Sequence, residues 1–258
     1  MSHWIKEYNL RYVVIKFFRK IRQQLLTENK FSKYLLYAIG EIVLVVIGIL
    51  IALSINNWNH ERIESQKELV YLDNLERDLQ NQLISIDVQL GYEQKYIEYG
   101  EPILEDYLET DGIVFDTVFS TNLRVLMERK TFVRTDPTFE DLISSGNIGV
   151  LKNNGLRNDI IEYYQELERV EKVIQNNNTL LIDQAYGQRI TDLVYVGTFG
   201  SDRLINISNE LLKDPEREMK FINLVGNRTG IANNHVGTMN DLRKKTTEII
   251  QLMQKSRL

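Results

Sequence analysis

The chain has no cysteine, three prolines, three histidines and two tryptophans in 258 residues. Without cysteine it can form no disulfide, no iron–sulfur cluster and no thiolate zinc site. The histidines His3, His60 and His235 are scattered, so no imidazole cluster is available for a metal. With prolines only at 102, 137 and 215, long stretches run without a helix breaker. No nucleophile, metal or phosphate-loop motif is found, so no catalytic residue, cofactor or metal site is expected.

What is present in quantity is apolar sequence in one place. Between Leu35 and Ile55, fourteen of twenty-one residues are Leu, Ile or Val, and Glu41 is the single charge. A helix of that length rises about 31 Å and matches a hydrocarbon core of about 30 Å. At about −0.3 to −0.6 kcal/mol each, the fourteen favour insertion by roughly 4 to 8 kcal/mol, against about 3 for one off-centre carboxyl. The sequence therefore predicts a transmembrane helix over 34–56. Ala52 and Ser54 offer a small-x-small cleavage site, but the apolar core exceeds the roughly 7 to 15 residues of a signal peptide. An uncleaved signal anchor is expected.

Charge flanking the span is asymmetric. Residues 1–33 carry eight basic and two acidic side chains, a net of +6, whereas 56–80 carry three basic and six acidic, a net of −3. Basic residues stay on the cytoplasmic side, so the 1–33 arm is expected inside and 57–258 outside. Tyr34, Tyr37 and Trp58 fall where aromatic rings sit at headgroup level. With a total of −5 and +6 in the arm, the rest of the chain carries −11. Such an acidic domain does not suit nucleic acid.

Within the arm, Val13, Val14, Phe17, Phe18, Ile21 and Leu25 recur at helical spacing, with Lys16, Arg19, Lys20 and Arg22 between them. One apolar face and one basic face predict an amphipathic helix on the inner-leaflet lipid, each basic side chain contributing about 1 kcal/mol. The run IKFFRKIRQQLLTENKFSKYLLYAIGEIVLVVIGILIALSINNWN, Ile15 to Asn59, resembles the amino-terminal signature of the single-pass family called domain of unknown function 6090, found mostly in Bacteroidota. TDPTFEDLISSGNIGVLKNNGLRNDIIEYY, Thr135 to Tyr164, resembles it more loosely. The resemblance implies an inner-membrane protein with a periplasmic helical domain, and supplies no activity, ligand or active site.

Beyond the span the expected class is all-α: the transmembrane helix continuing into a long-helix bundle. Leu72, Leu75, Leu79, Leu83, Ile86 and Leu90 form one apolar stripe, on a helix expected to kink or end at Gly100 and Pro102. Short helices are expected over about 102–109 and 116–130. Asp136–Pro137 and Asp214–Pro215 signal helix starts, Gly146 a left-handed end, and Asn153 or Asn154 the start of a helix with stripe Leu156 to Leu181. Residues 191–207 suggest a loop or small hairpin. Gly226, Gly230 and Gly237 predict distortion or close packing in the last helix, and three long antiparallel helices an up-and-down bundle.

Several side chains are candidates. Glu41 suits a proton path or an intramembrane partner, or else snorkels to the interface, about 9 Å into the span. Gly48 and Ala52 make a small-xxx-small pair for close approach of two spans, a spacing that also arises by chance. His235 shares a stripe with Ala232, Met239 and Leu242 and reads as a satisfied core histidine. Asn176, Asn177, Asn178, Asn233 and Asn234 suggest a polar layer, a ligand pocket or partly solvated amides. Glu162, Glu166, Glu168 and Glu171 read as a solvated face, and Tyr92, Tyr96 and Tyr99 as core packing with a partner surface second.

Two function classes follow. The first is a non-enzymatic, membrane-anchored periplasmic interaction module, adaptor, scaffold or sensor-like, with membrane lipid and a protein partner or a second copy as partners. The second is an ion-coupled subunit using Glu41, or an envelope enzyme with an unrecognised site.

Overall fold

The computed structural model describes residues 31–110, 112–197 and 201–257. The amphipathic-arm residues Phe17, Phe18, Lys16, Arg19 and Lys20 lie outside the described residues. No strand forms among the described residues, and the class is all-α. The chain divides between Ser65 and Gln66 into two compact units.

Helix α1 runs from Phe31 to Thr110. In the first unit none of its apolar stretch is buried, and it is the one helix among the described residues long and apolar enough to cross a membrane. Pro102 lies inside α1, which continues to Thr110 and does not end at Gly100 or Pro102. The proline frees the carbonyl of Glu98, and both residues are exposed, so water can take that bond. The helix ends where Thr110 Oγ1 bonds Asp106 O and Gly112 O.

In the second unit the shorter elements are α2 (Thr117–Leu126), α3 (Pro137–Ser144) and a 3-10 turn, Asn147–Val150. Then come α4 (Asn154–Asn176), a π segment (Asn177–Gly187), α5 (Gln188–Leu193), α6 (Asp202–Leu211) and α7 (Pro215–Ser256). Asp116, Asn153 and Asp214 each accept amides of the first turn they precede. Gly146 takes φ 69°, the left-handed conformation that ends α3 after Ser145. Residues 202–207 are helical, which replaces the expected loop or hairpin there.

Helix α7 runs antiparallel to α1, as the pairs Glu76/Gln254, Asp87/Arg243 and Glu93/His235 show. It also runs antiparallel to α4, through Tyr163/Thr246 and Asn177/His235. Helices α1 and α4 are therefore parallel, not up-and-down neighbours. Residues 112–153 return the chain along the length of the bundle through two short helices and the non-helical 127–136. Two apolar clusters result. One joins Leu75, Leu79, Leu142, Leu167 and Met239; the other joins Phe115, Leu123, Ile190, Phe221 and Val225.

Candidate functional site

Ten buried positions of α1, 72, 75, 79, 82, 86, 89, 93, 96, 100 and 103, alternate by threes and fours, with Asp78 and Leu90 buried beside them. Helix α7 has the same spacing at 221, 225, 228, 232, 235, 239, 242, 246, 249 and 253, with Thr229 and Ile250 buried beside it. Both are heptad seams of the kind that pack knobs into holes. Polar residues occupy seam positions in each: Gln82, Gln89 and Glu93 on α1, Arg228, His235 and Thr246 on α7. A stripe drawn through Leu83 and Leu90 passes beside Gln82, Gln89 and Glu93, which is why sequence reading misses them. The 3,4 alternation is the signal that finds them.

Helix α4 keeps the heptad through 156, 160, 163, 167, 170 and 174, then its buried positions step by four to 178, 182, 186 and 190. Four-residue steps on one face need more residues per turn, and the π segment supplies them. No proline or glycine between Leu156 and Tyr186 announces the change.

At this point a polar layer forms between the apolar clusters. His235 Nδ1 lies 2.9 Å from Glu93 Oε1, and both side chains are almost fully buried. Asn177 Nδ2 lies 2.9 Å from His235 Nε2. An amide N–H directed at Nε2 makes that nitrogen the acceptor and places the ring proton on Nδ1, facing Glu93. Gln89 Nε2 donates to the same Glu93 oxygen at 2.7 Å, and Asn178 Nδ2 donates to Lys130 O at 3.0 Å. Thus His235 is the satisfied core histidine expected, and of the asparagines Asn177 and Asn178 join the layer while Asn176, Asn233 and Asn234 are exposed.

Arg228, 1% exposed, adds a cation to the layer. It donates to Leu126 O at 2.8 Å and Glu128 O at 3.1 Å, and its Cζ sits 4.1 Å from the Tyr96 ring centroid. Burial holds its guanidinium below the usual arginine range, with Glu93 opposing. Burial likewise pushes the Tyr96 phenol up to about 12, while Arg228 pulls it down. Gln89 Oε1, Glu93 Oε2, Tyr96 Oη and Arg228 Nη1 are buried with no hydrogen-bond partner among the described residues. The layer binds its helices together while leaving polar capacity unused.

A second polar cluster lies where 135–157 meets the start of α1 in this unit. Thr135 N donates to Gln82 Oε1 at 2.6 Å and Thr138 N to Asp78 Oδ2 at 3.0 Å. Asp136, expected to cap α3, turns its carboxylate to Arg134 at 2.9 Å, so the cap comes from Asp78 across the bundle. Tyr71 Oη donates to Asp141 Oδ2 at 2.8 Å, Lys67 Nζ to Asn147 Oδ1 at 2.7 Å, and Lys152 N to Glu68 Oε1 at 2.7 Å. Of the four glutamates expected on a solvated face, Glu162 is exposed, whereas Glu166, Glu168 and Glu171 are half-buried: Glu171 accepts Arg134 N at 3.1 Å, and the carboxyls of Glu166 and Glu168 are drawn below the usual range by hydrogen bonds from Arg169 and Lys172 respectively.

Of the other expected sites, Glu41, Gly48 and Ala52 lie along one exposed stripe of α1, since seven and four residues return to the same face. A Cβ at Gly48 meets nothing within 4 Å. Trp58 is exposed, with Arg62 over its ring at 5.9 Å. Gly226, Gly230 and Gly237 likewise have open space over Cα. The first two border a groove of about 440 Å³ between α7 and the π segment, so close packing is not their role. Close approach occurs instead at Gly100, where a Cβ would clash with Thr229 Oγ1. Among the described residues no three His, Asp or Glu side chains gather as a metal site.

No curated protein and no solved structure matches this chain. A model of the family of unknown function DUF6090 matches residues 41–186, from the carboxylate in the apolar stretch through the crossover to the π segment, and the chain belongs to that family.

Proposed function

We propose that this protein is a membrane-anchored interaction module of the inner membrane of a Bacteroidota-type cell, with residues 1–33 cytoplasmic and its helical unit periplasmic. It works as an adaptor, scaffold or sensor-like partner, and not as an enzyme. The observation that supports this most directly is the Leu35–Ile55 stretch, unburied throughout and lying on the same helix that enters the heptad bundle. The charge step across that stretch favours the stated orientation. The stripe of Glu41, Gly48 and Ala52 suits self-association in the bilayer.

The test joins a topology reporter fused after Leu258 with in-cell crosslinking and mass spectrometry. A reporter active outside and a recurrent foreign partner are expected for an adaptor; self-crosslinks alone point to a homo-oligomeric scaffold or sensor. A cytoplasmic reporter sinks the orientation. Glu41→Gln is expected to leave location and crosslinks unchanged, and loss of a cellular phenotype in that variant would favour ion coupling instead.

A further inference from the structure

We propose that the buried polar layer is a register latch, which holds α7 against α1 in one register and against a half-heptad slide in either direction. Every side chain of this layer lies in the second unit, apart from the membrane topology. Heptad seams of apolar residues are tolerant of axial sliding by half a repeat, about one helical turn or 5.4 Å, because one leucine-sized knob replaces another. Buried polar residues at seam positions remove that tolerance, since each must find its own partner. Here a slide would set Glu93 opposite Ala232 or Met239 in place of His235 and would leave a carboxylate buried among apolar groups. The same move parts Arg228 from the Leu126 and Glu128 carbonyls and from the Tyr96 ring.

Two independent features make this a latch and not merely a lock. First, the layer is incompletely satisfied in its present register. Glu93 Oε2, Gln89 Oε1, Tyr96 Oη and Arg228 Nη1 are all buried without a protein partner among the described residues. Such groups subtract from the preference that the paired atoms create. Secondly, the element facing the layer, Asn177–Gly187, is a π segment, which supplies Asn177 to His235 from its first residue. A π turn can pass its extra residue along a helix, so the α4 side of the layer can follow a displaced α7. Groups facing the Glu93–His235 pair are Gln89 and Tyr96 from α1, the Lys130 carbonyl and Glu128 from the crossover, Asn177 and Asn178 from the π segment, and Arg228 from α7.

The absence of native cysteine makes the register directly readable, because introduced thiols are the only thiols. Asp87 and Arg243 pair across α1 and α7 at 2.8 Å and are both exposed. Asp87→Cys combined with Arg243→Cys reports the present register; Asp87→Cys with Thr247→Cys or Asn240→Cys reports a one-turn slide in either direction. The full-length chain in membranes is treated with a short thiol-to-thiol linker. The 87–243 product is expected to dominate in the unaltered layer. Replacing Glu93→Leu and His235→Leu together is expected to raise the ratio of shifted to native product roughly tenfold, with helical circular dichroism retained. An unchanged ratio in that folded variant overturns the latch. If the double replacement abolishes all three products, Glu93→Gln decides: a raised shifted ratio supports the latch, and a ratio equal to that of the unaltered layer overturns it.

Discussion

Helix α1 contains two leucine-rich and isoleucine-rich stretches that end in opposite surroundings. Along 35–55 every large apolar side chain is exposed, Leu44 to 73%, whereas Leu75 and Ile86 are at 0%. The difference lies in arrangement, not in residue type. Apolar residues all round a helix can be satisfied only by a solvent that is apolar all round, whereas a stripe at 3,4 spacing needs one packed partner and leaves the opposite face to water. Because the second stretch answers to protein and not to lipid, it also tolerates polar seam residues when another helix supplies their bonds.

That contrast is broken most sharply by truncation. Leu75→Ala is expected to cost about 2 to 5 kcal/mol, read as a lower urea midpoint of the helical unit in detergent, whereas Val45→Ala should leave that midpoint where it was. Equal losses from both would show that the two stretches share one environment. Glycines divide in the same manner. Gly100→Ala places a Cβ against Thr229 and is expected to cost about 1 to 3 kcal/mol, while Gly226→Ala, with open space above it, should add about 0.4 to 1 kcal/mol; thermal melts of the pair rank them.

Capping provides a finer comparison. Asp78→Ala removes the acceptor of Thr138 N and is expected to lower stability by about 0.5 to 2 kcal/mol, and Asp136→Ala by less, although Asp136 holds the conventional cap position. A larger loss at Asp136 would return the cap to the local residue. The smallest effect concerns alkaline pH. Burial raises the phenols of Tyr96, Tyr163, Tyr164 and Tyr186 above their ordinary 10.0. The fold keeps those protons where the unfolded chain releases them, so their contribution is full below about pH 10 and is lost as pH rises further. Tyr164→Phe removes a buried hydroxyl with no partner among the described residues, and should flatten the pH dependence of the denaturation midpoint above 10 at little cost at neutral pH.

Much of this architecture can be read from residue spacing. The apolar span, the starts at Asn153 and Asp214 and the turn at Gly146 follow from local chemistry that acts within four residues. What escapes the sequence is non-local. Pro102 looks like a stop because its exposed position is unknown until the bundle exists. Gly226 and Gly230 look like contact points, and Gly100 like a break, because only the facing helix shows which glycine is crowded. Glu93 and His235 lie 142 positions apart, and His235 alone carries no sign of its partner. The π segment is legible only as a change of step from 3.5 to four in positions whose burial must already be known.

The crossover from Phe132 to Thr138 draws its backbone bonds from Gln82, Glu171 and Asp78, side chains on two other helices. Those acceptors are in place only after α1 and α4 have come together. In kinetic terms this segment is then a late-forming one: substitutions that weaken it should leave the refolding rate nearly untouched and accelerate unfolding, with φ-values near zero in a stretch that lies within the part of the chain matched by its family.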